Sequence, residues 1–144
     1  MWCCLVGSEM CIRDSGYLAK NKGVREIMKK FQKKIIKKNK RICVEGRDIA
    51  STILKKNPRY DLAFYFTCNL NLASIRRWKD LKKKVPLKEV KKSLSIRTRL
   101  DKKRKHSPLK KMRDAILIRT DKLNKKKVLL KMSQEIEKIN YKTL

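Results

Sequence analysis

Three short apolar runs, set apart by long lysine-rich stretches of helical periodicity, constrain the fold of this chain more than any other feature. They are Arg41-Ile42-Cys43-Val44-Glu45, Leu62-Ala63-Phe64-Tyr65-Phe66 and Ala115-Ile116-Leu117-Ile118. Each is short and nearly continuous in apolar residues, so each reads as a buried strand. The first ends at Gly46, and the turn residues Asn57-Pro58 introduce the second.

The stretches around them carry a different period. Val24, Ile27, Met28, Phe31 and Ile35 recur every three or four residues and predict an amphipathic helix over about Val24 to Lys38. Leu72, Ile75 and Trp78 predict a second, running to about Lys84. Pro86 suits the first turn of a third, whose stripe is Leu87, Val90 and Leu94. His106-Ser107-Pro108 breaks the pattern as a loop, and Val128, Leu129, Met132, Ile136 and Ile139 mark a last helix. Strands alternating with helices predict an α/β fold, a parallel sheet flanked by helices on both faces. There is no internal repeat.

Charge narrows the partners. Forty-two Lys and Arg against thirteen Asp and Glu give a formal net charge of +29, spread along the whole chain. Such a charge implies a polyanionic partner, whether nucleotide, nucleic acid or anionic surface, or else lysines that are only solvated helix faces. A small basic RNA-binding or ribosome-associated protein is therefore one reading. Against it, Phe64, Tyr65 and Phe66 fall in an expected buried strand, not on a stacking surface. No apolar stretch approaches the ~20 residues that span a bilayer, so no membrane is expected. The five cysteines form no CxxC pair, and the single His106 lies far from them, so zinc-ligand spacing is absent. Cys43 and Cys68 read as small core residues, and a cytoplasmic location fits.

Met1 to Ser15 does not match the rest. It holds no lysine, three of the five cysteines and one of the two tryptophans. Its EMCIRDS resembles translated adapter sequence, and it lacks the basic start of a signal peptide. The expectation is a non-native leader over 1–15 and one domain portion over 16–144.

Candidate chemistry lies in two places. Gly46-Arg47-Asp48 follows the first expected strand, and open α/β sheets bind ligands beyond the carboxyl ends of their strands. The plainer alternative is a turn in which Arg47 and Asp48 pair with each other. Arg97, Asp101 and Arg104, spaced by four and three, share one helix face and continue the Leu87, Val90, Leu94 stripe. There the plainer alternative is a set of exposed ion pairs, each worth about 0.3–0.5 kcal/mol. Arg76-Arg77 and Arg25 are ordinary basic residues taken singly.

Taken in order, VREIM (Val24–Met28), ICVEGRDIAS (Ile42–Ser51), SIRRW (Ser74–Trp78), IRTRLDKKRKHSPL (Ile96–Leu109) and RDAILI (Arg113–Ile118) resemble the cytidylate kinase family over nearly all of Gly16 to Leu144. The resemblance implies part of a P-loop-type parallel sheet and a nucleoside monophosphate kinase, monomeric when complete. Such a kinase transfers the γ-phosphoryl of ATP to CMP or dCMP, with Mg²⁺. It implies that Arg25 and Asp48 meet the cytosine, and that Arg47 and Arg104 bind the monophosphate. Arg97 and Asp101 would lie near the sugar and the transferring phosphates. Arg47, Arg97 and Arg104 would form the catalytic set. Arg76 would belong to a lid, over about 76–108, that closes on ATP.

The chain departs from the family pattern where Ala50 stands for a glycine and where lysines crowd the stretch before Arg104. No G-x-x-x-x-G-K-[ST] sequence occurs; the four glycines are Gly7, Gly16, Gly23 and Gly46. The expectation is an N-terminally truncated enzyme, lacking the first strand, the phosphate-binding loop and the Mg²⁺ ligand, and inactive as written.

Overall fold

The computed structural model describes residues 21–140, so the expected leader over 1–15 lies outside the described residues. Five helices and two strands follow in the order α1 (Lys22–Lys38), a short π-helical turn (Ile49–Ile53), β1 (Phe64–Thr67), α2 (Leu70–Asp80), α3 (Leu87–Lys103), β2 (Ile116–Arg119) and α4 (Lys125–Asn140).

Helix ends follow local chemistry. The Asn21 side chain accepts from the Gly23 and Val24 N–H groups at 2.9 and 3.2 Å and opens α1. Lys37 and Lys38 sit in its last turn, where a helix favours cations. Asn69 caps α2 in the same way, accepting from Asn71 N–H at 2.9 Å, and Asn124 accepts from Lys127 N–H at the start of α4. Pro86 occupies the position just before α3, one place earlier than expected. The second helix ends at Asp80, not near Lys84, because Lys82 and Lys83 turn into the left-handed region at φ 51° and 59°.

β1 and β2 pair in parallel, Phe64 opposite Ile116 and Thr67 opposite Arg119, with α2 and α3 packed together in the connection between them. Main-chain bonds from Ile116 N–H to Ala63 O and from Thr120 N–H to Thr67 O, both 2.8 Å, extend the ladder at each end. The buried core gathers Ile53, Leu54, Ala63, Val90, Ala115 and Ile118. Val90 is wholly buried, as the α3 stripe requires.

Two expectations fail. The run Arg41–Glu45 is not a strand. It is an irregular segment, and none of the main-chain groups of residues 42–46 makes a main-chain hydrogen bond among the described residues. Strand character depends on a neighbouring strand, and no described one lies beside it. Cys43, expected in the core, is therefore exposed, while Cys68 is half-buried. The parallel sheet is flanked by helices, with Ile118 buried, while Phe66 and Leu117 are 49% and 41% exposed among the described residues. The α1 stripe is open as well, with Ile27 and Phe31 mostly exposed. No helix among the described residues is long and apolar enough to cross a membrane.

Candidate functional site

The segment from Gly46 to Ile53 does most to build the site. Gly46 has no positive φ, so it is not needed for an unusual backbone angle. Its requirement is space: a β-carbon there would meet Ile49 Cγ1 at 2.5 Å. This close approach lets the chain turn directly into the π-helical turn, where Thr52 N–H bonds to Asp48 O at 2.9 Å and Leu54 N–H to Ile49 O at 2.8 Å. Arg47 and Asp48 are thereby sent to different partners.

Asp48 forms an ion pair with Arg25 of α1, and its other oxygen lies 3.6 Å from Arg104 Nη2, just beyond α3. Asp101, in the last turn of α3, lies 3.4 Å from Arg104 Nη1 and 3.6 Å from Arg47 Nε. The alternative in which Arg47 and Asp48 pair with each other is thus not what forms. Nor does the Arg97, Asp101, Arg104 row make only exposed pairs: the side chains of Asp48, Asp101, Arg25 and Arg104 are 12–17% exposed.

Arg97 completes the group from one turn back on α3. Burial, followed by the nearby Arg47 guanidinium, pushes its pKa below the ordinary arginine value; Arg77 adds to this and Asp101 opposes it. Four arginines thus face two aspartates, an excess of two positive charges. Asp101 Oδ2 and Arg104 Nη2 are buried with no hydrogen-bond partner among the described residues. Leaving such atoms unbonded is costly, and an anion with several acceptor oxygens would satisfy the guanidinium.

A cavity of about 190 Å³ adjoins this cluster, lined by Lys22, Arg25 and Lys29 of α1, by Thr52, and by Lys105, His106 and Ser107 after α3. A second of about 610 Å³ lies between α1 and residues 42–47, with Arg97 and Arg47 at its wall. The exposed loop position of His106 was expected; the part played by Ser107 was not. Ser107 O accepts from Arg104 Nε at 2.5 Å, and no sequence pattern signals that contact.

Arg76 is placed apart from this cluster. It donates to Thr120 O at 2.8 Å and Thr120 Oγ1 at 3.2 Å, at the carboxyl end of β2. Among the described residues no group of three His, Cys, Asp or Glu could hold a metal ion, and both site aspartates are already faced by arginines. These residues do not fit a Mg²⁺ site, and no step is assigned to one.

A two-stranded parallel sheet with helices in the crossover is an α/β arrangement consistent with part of a nucleotide-kinase fold. The chain belongs to the cytidylate kinase family, whose model matches residues 7–138. It is 32% identical over 117 residues to a cytidylate kinase of Rickettsia akari, an alignment covering 79% of this chain and 52% of that relative. It is 35% identical over 118 residues to one of Clostridium botulinum, covering 80% and 52%, and 34% identical over 114 residues to one of Thermosipho melanesiensis, covering 77% and 51%. The chain spans about half the length of these relatives.

Proposed function

We propose that this chain carries the nucleoside-monophosphate side of a kinase that moves the γ-phosphoryl of ATP to CMP or dCMP. The observation that carries this reading is the cluster of Arg25, Arg47, Arg97 and Arg104 around Asp48 and Asp101, with Arg104 Nη2 buried and lacking a hydrogen bond among the described residues. A phosphate monoester supplies the missing negative charge and accepts from planar guanidinium forks.

Arg25 and Asp48 give base selectivity a chemical basis. Cytosine presents a 4-amino donor beside ring acceptors, which matches a carboxylate held next to a guanidinium. Uracil has an oxygen where cytosine has its amino group, and Asp48 repels it. Arg47 and Arg104 are assigned to the monophosphate. Arg97 and Asp101 are assigned to the sugar and the transferring phosphates, and Arg76 to the ATP side. Phosphoryl transfer rests on positioning and charge stabilisation, which such a set supplies for the acceptor. ATP's β- and γ-phosphates need a Gly-rich loop with its lysine, and no such sequence occurs among these 144 residues. The 144-residue chain is accordingly expected to bind the acceptor without turning it over.

Isothermal titration with CMP, dCMP, UMP and cytidine tests the reading. CMP and dCMP should bind about tenfold or more tightly than UMP, one hydrogen-bond mismatch being worth 1–3 kcal/mol. Equal affinity for CMP and UMP would refute it. Steep, sequence-tolerant binding of RNA that weakens with salt would favour the basic RNA-binding alternative. Formation of CDP from CMP and ATP by the chain alone would overturn the expected inactivity.

A further inference from the structure

We propose that Ser107 is a positioning residue for Arg104, acting through its backbone conformation; this rests on the nucleotide-binding reading above. Arg104 is the first residue past α3 and turns to an extended ψ of 139°. Three residues on, Ser107 adopts φ 54°, the left-handed region that most L-residues avoid. That reversal turns its carbonyl back onto Arg104, where it accepts from Nε.

The consequence follows from guanidinium geometry. The N–H groups of arginine lie in one plane, so fixing Nε fixes the direction of both Nη groups. With Nε held by Ser107, Nη1 faces Asp101 at 3.4 Å and Nη2 faces Asp48 at 3.6 Å. Nη2 is one of the two buried side-chain atoms that make no hydrogen bond among the described residues. Leu109 N–H bonds to Asp101 O at 2.7 Å and pins the far end of the loop to α3. The Ser107 hydroxyl enters no hydrogen bond among the described residues, so its carbonyl and its φ are what matter. The same residue lines the cavity beside Arg25, so the loop shapes the pocket and aims one of its cations.

The test is a set of substitutions at one position that differ in tolerance for positive φ. Glycine adopts it freely and asparagine readily, alanine less so, and β-branched valine least. CMP and cytidine affinities are measured by titration calorimetry on the whole chain, with circular dichroism as a check on folding. Ser107→Gly and Ser107→Asn should stay within about threefold of the parent for both ligands, since each keeps the left-handed turn. Ser107→Val should weaken CMP about tenfold while cytidine changes by about twofold or less, because only the phosphate needs an aimed guanidinium. Ser107→Ala should fall between, and it decides the matter if the valine chain does not fold. A merely structural loop residue would weaken both ligands together.

The proposal is overturned if the folded valine or alanine chain keeps the parent's CMP-to-cytidine ratio, or if glycine loses as much as valine. If the parent chain itself fails to prefer CMP to cytidine, the nucleotide-binding reading falls and this proposal with it. The two failures are thus separate.

Discussion

Asp101, in the last turn of α3, lies 3.6 Å from Arg47, which belongs to the turn after Gly46. That relationship ties two segments remote in sequence into one site and sends Asp48 to Arg25 and Arg104 instead. A charged cluster so enclosed makes clear demands on each member.

Asp48→Asn should affect folding and selectivity together. It leaves Arg25 and Arg104 without their shared counter-charge, which should lower stability by about 2 kcal/mol in a site this enclosed. An asparagine amide can also rotate to donate to uracil, so the preference for CMP over UMP should collapse. Urea unfolding and parallel titrations with the two nucleotides measure both effects.

Gly46→Ala should cost about 1–3 kcal/mol by overpacking, since the new β-carbon meets Ile49 Cγ1 and Cδ1 at 2.5 and 2.9 Å. The double variant Gly46→Ala/Ile49→Ala should be more stable than the sum of its parts, because removing the Ile49 side-chain atoms relieves the collision. A thermodynamic cycle of the four chains detects this coupling. Simple additivity would mean that the contact is not what matters.

Arg97→Met should separate stability from binding. Arg97 loses solvation through burial and is then opposed by Arg47 and Arg77. A similar-sized apolar side chain should leave stability unchanged or raise it by up to ~1 kcal/mol. CMP affinity should nevertheless fall about tenfold, as a charge-assisted contact is lost. Thermal melts with and without CMP give both quantities.

Alkaline pH should loosen the entrance to the two strands. The Tyr60 hydroxyl donates to Asp114 at 2.6 Å, and Arg59 pairs with the same carboxylate. Burial and then the Asp114 hydrogen bond raise the Tyr60 pKa from 10.0 to about 12. Folding favours the protonated phenol, so its contribution is complete below pH 10 and is lost as pH rises through about 12. The Asp114 carboxyl is held below its ordinary value by the same bond; its contribution is present above that value and fades as pH falls through the lowered one. Tyr60→Phe should flatten the alkaline part of a stability-against-pH curve relative to the parent. Lysine deprotonation, common to both chains, cancels in the difference.

Arg76→Ala removes hydrogen bonds to Thr120 that join α2 to the end of β2. Stability should drop by about 1–2 kcal/mol, and CMP binding should stay unchanged. Loss of CMP affinity in the folded variant would place Arg76 on the acceptor side and contradict its assignment to ATP.

The helices were legible because their information is local. The Val24 to Ile35 stripe, the wholly buried Val90 and the strands at residues 64–67 and 116–119 lie within a few residues of where periodicity put them. The failure at Arg41–Glu45 is equally physical. Apolar, β-branched composition marks a segment that can join a sheet, yet hydrogen-bonded pairing requires a neighbour, and composition does not say whether one is present. The site divides in the same way. Arg97 and Asp101 share a face of α3 as their spacing predicts, while Arg104, expected on the same helix, reaches Asp101 from just past its end; no spacing rule links Arg25 to Asp48 or Arg47 to Asp101.

By itself the sequence determined the α/β class, the four main helices and the basic character. These depend on residue type and on periods of a few residues. The tertiary structure decided which arginine meets which aspartate, how far each is withdrawn from water, and that a serine carbonyl aims Arg104. Those outcomes depend on where α1, the Gly46 turn and the end of α3 converge, and convergence is set by packing between distant segments.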